Sequence, residues 1–322
     1  MPTWMSSSRG LEEGTGLYST SRWMERGTGS NGRSTSPGTG SSRAPIPWPW
    51  GCVSAGGFQS SRRSARTCSR GDLDLLTYFT SSTDSPLYLQ NSQDRMDWFF
   101  ALDAFVDGPS VPPEQRAEVV RDLSTWLEDR SFLSRFPWVN TLNALLRIIL
   151  EDIEREGLDT TLIARDLRGY YEGFLVEFDQ KVPLEQYLEN RGRTIGMRPE
   201  LEFCFAYLGR PLSAQARSAA ERMKRVSADL VALQNDVLSL CKEEAQEEGH
   251  LRLKSYFPIG HKYVSFINGF YQARFTSFLA MRPQRPGPLE ELWKVCSQWI
   301  SGSLVWHLTS RRYNMGQFQI LP

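Results

Sequence analysis

The chain has 322 residues, with 37 Lys and Arg balancing 37 Asp and Glu and a hydrophobic fraction of 40%. Zero formal charge excludes a surface that attracts nucleic acid or an anionic membrane globally, so an anionic ligand must be held by a local cluster. No apolar run reaches the roughly 18–20 residues that span a bilayer, and the length suits one large domain with a real core.

Residues 1–71 read differently from everything after them. "GTGSNGRSTSPGTGSSR" and "SSRRSARTCSRG" are rich in Ser, Gly and Arg, and "PIPWPWG" is their one apolar island. Such a segment buries too little surface to offset its ordering entropy and is expected to be disordered or atypically packed. Its bias is that of a transit peptide, but it lacks an amphipathic helix and contains Glu12, Glu13 and Glu25. The five cysteines (52, 68, 204, 241 and 296) include no C-x-x-C pair, so a reduced, cytoplasmic setting without structural zinc is expected.

Residues 72–322 carry helical periodicity throughout. Helices are expected over Asp72–Phe79, Gln93–Val106 and Glu114–Arg130, then over "WVNTLNALLRIILEDIERE" and "DTTLIARDLRGYYEGFLVEFDQ", with Asp159 as N-cap of the last. "PLEQYLENRGRTIG" stops at Gly196, and Pro199 opens the next helix. Ser213–Glu248 reads as one long helix closed by Gly249, followed by Tyr263–Ala280 and Leu289–Ser310. Strand and hairpin signals are absent, and nine or ten helices with short connections make an all-α bundle.

Four stretches bear on chemistry. In "LQNDVLSLCKEE", Asn235, Ser239 and Glu243 fall at i, i+4 and i+8 and share one helical face. An amide oxygen, a hydroxyl and a carboxylate together suit a hard cation such as Mg²⁺, although the same spacing also describes a solvated stripe. In "WFFALDAFVDG", Asp103 and Asp107 are one turn apart beside Phe99 and Phe100. "YLENRGRTIG" places Arg191 before a helix-stopping glycine, and "WHLTSRRYN" sets Trp306 ahead of Arg312 and Tyr313. Arginine suits bidentate contact with phosphate oxygens, and singly each is equally a surface ion-pair residue.

The order of these four stretches resembles a class I terpene synthase of the fungal or bacterial sesquiterpene type. Asn235, Asp236, Ser239 and Glu243 match the family's N-D-x-x-S-x-x-x-E motif, with Lys242 in the place of its accompanying lysine. Arg191 matches the diphosphate-sensing arginine, and Arg312 with Tyr313 the terminal Arg-Tyr pair. Asp103 and Asp107 match the first and last acids of the Asp-rich motif, while Ala104 and Gly108 replace acidic residues.

The resemblance implies a helical bundle around a central active-site cavity and a prenyl diphosphate substrate, most naturally farnesyl diphosphate. It implies three Mg²⁺ ions held by Asp103, Asp107, Asn235, Ser239 and Glu243, with Arg191, Lys242, Arg312 and Tyr313 on the diphosphate. Phe79, Phe99, Phe100 and Trp306 are the expected pocket aromatics. A monomer or homodimer is expected, without nucleic acid or stable membrane insertion. Two alternatives stand beside it: a prenyl-chain elongase, which would carry a second Asp-rich motif, and a catalytically inactive helical protein serving as a binding scaffold.

Overall fold

The computed structural model describes residues 70–81, 86–107, 111–177, 182–209, 212–240, 253–257 and 260–313. Every regular element among them is helical: α1 (Arg70–Thr80), α2 (Pro86–Asp107), α3 (Pro113–Glu128), α4 (Pro137–Arg155), α5 (Thr161–Glu177), α6 (Leu184–Thr194), α7 (Met197–Tyr207), α8 (Ala214–Leu238), α9 (Leu253–Tyr256), α10 (His261–Ala280) and α11 (Pro288–Thr309). A 3₁₀ turn, Arg311–Tyr313, follows α11. The low-complexity segment up to residue 69 lies outside the described residues, as do Lys242, Glu243, Gly249 and the side chain of Asp107.

The all-α expectation holds, and the boundaries that moved did so for local reasons. Helix α2 starts at Pro86 rather than Gln93, because proline in a first turn loses no hydrogen bond. Pro199 likewise sits inside the first turn of α7, which opens at Met197. Asp159 Oδ1 accepts the Thr161 amide at 2.9 Å, closing the start of α5. Ser213 Oγ accepts the Ala216 amide at 3.2 Å and caps α8. The long helix expected to run to Glu248 instead ends at Leu238, with a bend at Ser239. Ser239 keeps αR geometry and donates its amide to the Asn235 carbonyl at 2.8 Å. Asn235 and Ser239 therefore remain one turn apart.

Helix α8 packs against α6, α7, α10 and α11, and α11 lies in turn on α1. Helix α5 packs against α3, α6 and α7, and α2 against α1 and α4. Large buried side chains, among them Trp98, Trp126, Tyr171, Phe174 and Phe203, fill the space between. Trp98 donates Nε1–H to the Leu142 carbonyl at 3.0 Å, so its one polar atom is satisfied. Lys224 of α8 is fully buried, and its ammonium is held at 2.5 Å by Asp166 of α5, 2.7 Å by Glu202 of α7 and 3.1 Å by Glu221. A buried cation is tolerated only with such partners, so this cluster ties three helices together.

Gly302 sets the contact of α11 with α1, for a Cβ there would sit 2.3 Å from the Phe79 carbonyl oxygen. That obstacle is backbone and cannot rotate away. Gly302→Ala is expected to lower unfolding free energy by about 3 kcal/mol in chemical denaturation. Gly269→Ala, exposed on α10 with open space around it, should instead gain about 0.5–1 kcal/mol from helix propensity.

Asp229 of α8 faces Arg274 of α10, with Oδ2 at 2.9 Å from Nε. Burial outweighs that pairing and raises its carboxyl from 3.8 to about 6. The folded chain thus holds this proton more tightly than the unfolded chain. Its stabilising contribution is complete below the unfolded value and is lost as pH rises through about 6. Urea unfolding should therefore show a smaller loss of stability from about pH 4 to about pH 7 in Asp229→Asn than in the parent, by up to about 3 kcal/mol.

Candidate active site

The bundle encloses a cavity with an open mouth, lined from α1, α2, α5, α6, α7, α8, α11 and the 3₁₀ turn. Two helices supply four lining residues each through helical spacing. On α2, Met96, Phe99, Phe100 and Asp103 recur at i, i+3, i+4 and i+7. On α11, Trp299, Ser303, Trp306 and His307 follow a similar helical rhythm. Phe100 meets Trp306 edge-on at 5.7 Å, and Phe99 meets Tyr170 at 5.5 Å. Tyr170, Met197 and Val231 extend the apolar lining. From α1 the lining residue is Leu76; Phe79, expected in the pocket, is not among the lining residues and packs on Tyr78.

The other end is polar and is built around Arg191. Gly196, in left-handed geometry at φ 76°, lets the chain turn from α6 into α7 and leaves Arg191 and Thr194 facing the cavity. Arg191 donates Nε–H to Asp236 Oδ1 at 2.8 Å and Nη2–H to Asn235 Oδ1 at 2.8 Å. Its Nη1 reaches Glu177 Oε1 at 3.4 Å. Burial opposes the guanidinium's charge, but Asp236 and Glu177 more than offset this and hold its pKa well above the ordinary value. Tyr187 donates to the second oxygen of Asp236 at 3.0 Å, and Thr194 Oγ1 donates to Glu177.

Asn235 connects this cluster to the end of the chain. Its Nδ2 donates to Tyr313 Oη at 3.3 Å and faces His307 Nε2 at 3.2 Å. His307 Nδ1 lies 2.6 Å from the Ser303 carbonyl, an acceptor only, so Nδ1 carries the proton and Nε2 accepts from Asn235. The amide of Asn235 is thereby oriented with its oxygen toward Arg191. Arg312 lies over Phe100, with its guanidinium carbon 5.0 Å from the ring centre, and Nη2 is 3.9 Å from Asp103 Oδ2. The cavity thus brings together Asp103, Arg191, Asn235, Arg312 and Tyr313 at its mouth, with Phe99, Phe100 and Trp306 below. Ser239 is buried one turn beyond Asn235 and is not part of the lining.

Among the hard oxygens that border the cavity are the Asp103 carboxylate and the Asn235 amide, with the Ser239 hydroxyl buried one turn beyond. A carbonyl oxygen has two lone pairs, so Asn235 Oδ1 retains one beside its bond to Arg191. That chemistry fits a divalent hard cation. Among the described residues, no three His, Cys, Asp or Glu side chains gather as a metal cluster.

Residues 94–256, half of the chain, match the family model for terpene synthase family 2, C-terminal metal binding. The chain belongs to the terpene synthase family. The match carries divalent-metal binding with it. Among terpene synthases, the chain is 25% identical over 305 residues to pentalenene synthase from Streptomyces exfoliatus, covering 84% of this chain and 86% of that protein. It is 27% identical over 220 residues to pentalenene synthase from Streptomyces arenae, covering 63% and 61%. Linalool/nerolidol synthase from Streptomyces clavuligerus in complex with 2-fluorogeranyl diphosphate shares the fold at TM-score 0.62, 20% identity and 75% and 87% coverage. Wild-type cucumene synthase shares it at 0.57, 17% identity and 74% and 86% coverage. The architecture is that of an all-α class I terpenoid synthase. No helix among the described residues is long and apolar enough to cross a membrane.

Several residues of this terpene synthase cavity carried no sequence signal of their own. Asp236 stands inside the matched N-D-x-x-S-x-x-x-E motif, yet only the fold reveals that it holds Arg191. Glu177, the last residue of α5, has nothing distinctive around it. His307 follows Trp306 directly and was readable only as a neighbour. Asp236→Asn should keep an acceptor for Tyr187 while leaving Arg191 short of a counter-charge, at a cost of about 3 kcal/mol in chemical unfolding. Neutralising all three charges, as Arg191→Met with Asp236→Asn and Glu177→Gln, should cost less than that single change, since no charge is then left buried without a partner.

Proposed function

We propose that the chain ionises farnesyl diphosphate with magnesium and cyclises the resulting cation to a sesquiterpene, releasing pyrophosphate. The observation that carries this reading is one cavity that brings Asp103, Arg191, Asn235, Arg312 and Tyr313 together beside an aromatic and aliphatic lining. The pentalenene synthases it resembles make a sesquiterpene, which supports a fifteen-carbon substrate.

Asp103 on α2, with Asn235 and Ser239 at the end of α8, would hold Mg²⁺; Asp107 and Glu243 complete the proposed set, and the count of three ions belongs to it. Bound there, the cations supply Lewis acidity toward the departing diphosphate. Arg191, Arg312, Lys242 and Tyr313 donate to the diphosphate oxygens and neutralise the charge that develops as the C–O bond breaks. Arg312 would leave Asp103 and Phe100 as it does so, which couples binding to closure of the mouth. The apolar lining excludes water from the cation, and the faces of Phe99, Phe100 and Trp306 attract it.

The test is incubation with farnesyl diphosphate and Mg²⁺, reading released pyrophosphate and volatile hydrocarbon. Asp103→Asn is expected to reduce pyrophosphate release about 100-fold, and Arg312→Ala to reduce it more than Tyr313→Phe. A silent parent overturns the proposal in favour of a binding scaffold. Full activity in Asp103→Asn removes Asp103 from the metal set.

A further inference from the structure

Below the aromatic belt, the wall of the cavity contains a carboxylate that ionisation at the mouth does not use. Glu200 of α7 borders the cavity and is buried. Both of its oxygens accept from Arg95 of α2, Oε2 from Nε at 2.8 Å and Oε1 from Nη2 at 2.8 Å. Arg95 is fully buried and does not border the cavity. Its remaining nitrogen, Nη1, donates to Asn91 Oδ1 at 2.5 Å, and its guanidinium carbon lies 5.1 Å from the Phe203 ring centre and 5.6 Å from that of Tyr88.

Two features give this pair a direction. Its negative partner faces the cavity and its positive partner lies behind, so the field felt inside is that of the nearer charge. Its depth follows from α2: Arg95 precedes Asp103 by two helical turns, about 12 Å along the axis at about 1.5 Å per residue. Phe99 and Phe100 lie between. The carboxylate therefore stands away from the polar mouth, against a stretch of wall otherwise formed by Met96, Met197 and Trp299.

We propose that Glu200, held rigid by Arg95, is a product-determining counter-charge on the cavity wall. It draws positive charge in the substrate cation away from the diphosphate and toward the far end of the chain, and so sets where cyclisation ends. This rests on the terpene-cyclising reading above. A rigid bidentate clamp matters here, because a preoriented charge acts on a cation without reorganising. A mobile carboxylate would instead approach the cation and add to it, forming an ester. The two Arg95 bonds restrain the oxygens from doing so.

Glu200→Gln alone would strand Arg95 without its counter-charge and is liable to unfold. The test is therefore the double variant Arg95→Met with Glu200→Leu, which replaces the pair by apolar residues, with a thermal melt to verify the fold. Products are scored per pyrophosphate released from farnesyl diphosphate. The parent's main product should fall about tenfold in share, replaced by less cyclised hydrocarbons and alcohols whose final cation lay nearer the diphosphate end. An unchanged product profile in the folded double variant overturns the proposal and makes the pair purely structural. So does a parent whose product is acyclic, because no late cation then exists to be drawn. A parent that releases no pyrophosphate overturns the functional reading itself, and the inference falls with it, by a result distinct from either of the others.

Discussion

Burying the guanidinium of Arg191 requires anions around it, and that requirement organises the polar end of the molecule. Glu177 arrives from α5, Asp236 and the Asn235 oxygen from α8, and Arg191 itself from α6. None of these groups is tolerable at that depth alone. Once they are assembled, Asn235 has only one way to present its amide, and its nitrogen reaches Tyr313 and His307 of the C-terminal elements. The same logic recurs three turns earlier on α8, where Lys224 gathers Asp166 and Glu202. Helix α8 is thereby fixed at two levels to α5, and the cavity wall beside Val231 lies between those levels.

What was legible in the sequence was whatever depends on spacing within one element. Helical periodicity gave the all-α class, and the i, i+4 relation of Asn235 and Ser239 survived the bend that ends α8. Phe99 and Asp103, four residues apart, share a face of α2 with Phe100 beside them. What was not legible depends on which element passes alongside. Leu76 rather than Phe79 borders the cavity because α1 approaches α11 backbone to backbone at Gly302, and this sets its rotation. Glu200 and Arg95 lie 105 residues apart and read as ordinary surface charges until α2 and α7 are packed together. Helix starts differ from expectation around proline in both senses: Pro86 opens a helix that the periodicity begins at Gln93, and Pro199 sits inside a first turn that begins at Met197.

The electrostatics of the cavity are graded along α2. Asp103 meets Arg312 at the mouth, uncharged aromatic faces follow, and a second ion pair lies beyond them, with Glu200 bordering the cavity. Along α2 the order is thus anion, π-system and Arg95, whose partner Glu200 of α7 borders the cavity. A cation formed at the mouth would meet attraction at each level, which separates the place where charge is created from the place where it is quenched.

The absence of a side chain at Gly302 has a consequence for how this cavity can be remodelled. With the α11 backbone in contact with the carbonyl of Phe79, these two helices have no slack between them. That side of the container is inelastic, and enlarging residues on α11 would push into the void rather than displace the wall. The turn from α6 into α7 at Gly196 is different: it has Phe99 at ordinary contact distance and a chain that already changes direction there. Contour should drift by substitutions around that turn, so related chains with different interior shapes would vary at α7 while keeping the α1–α11 seam unchanged.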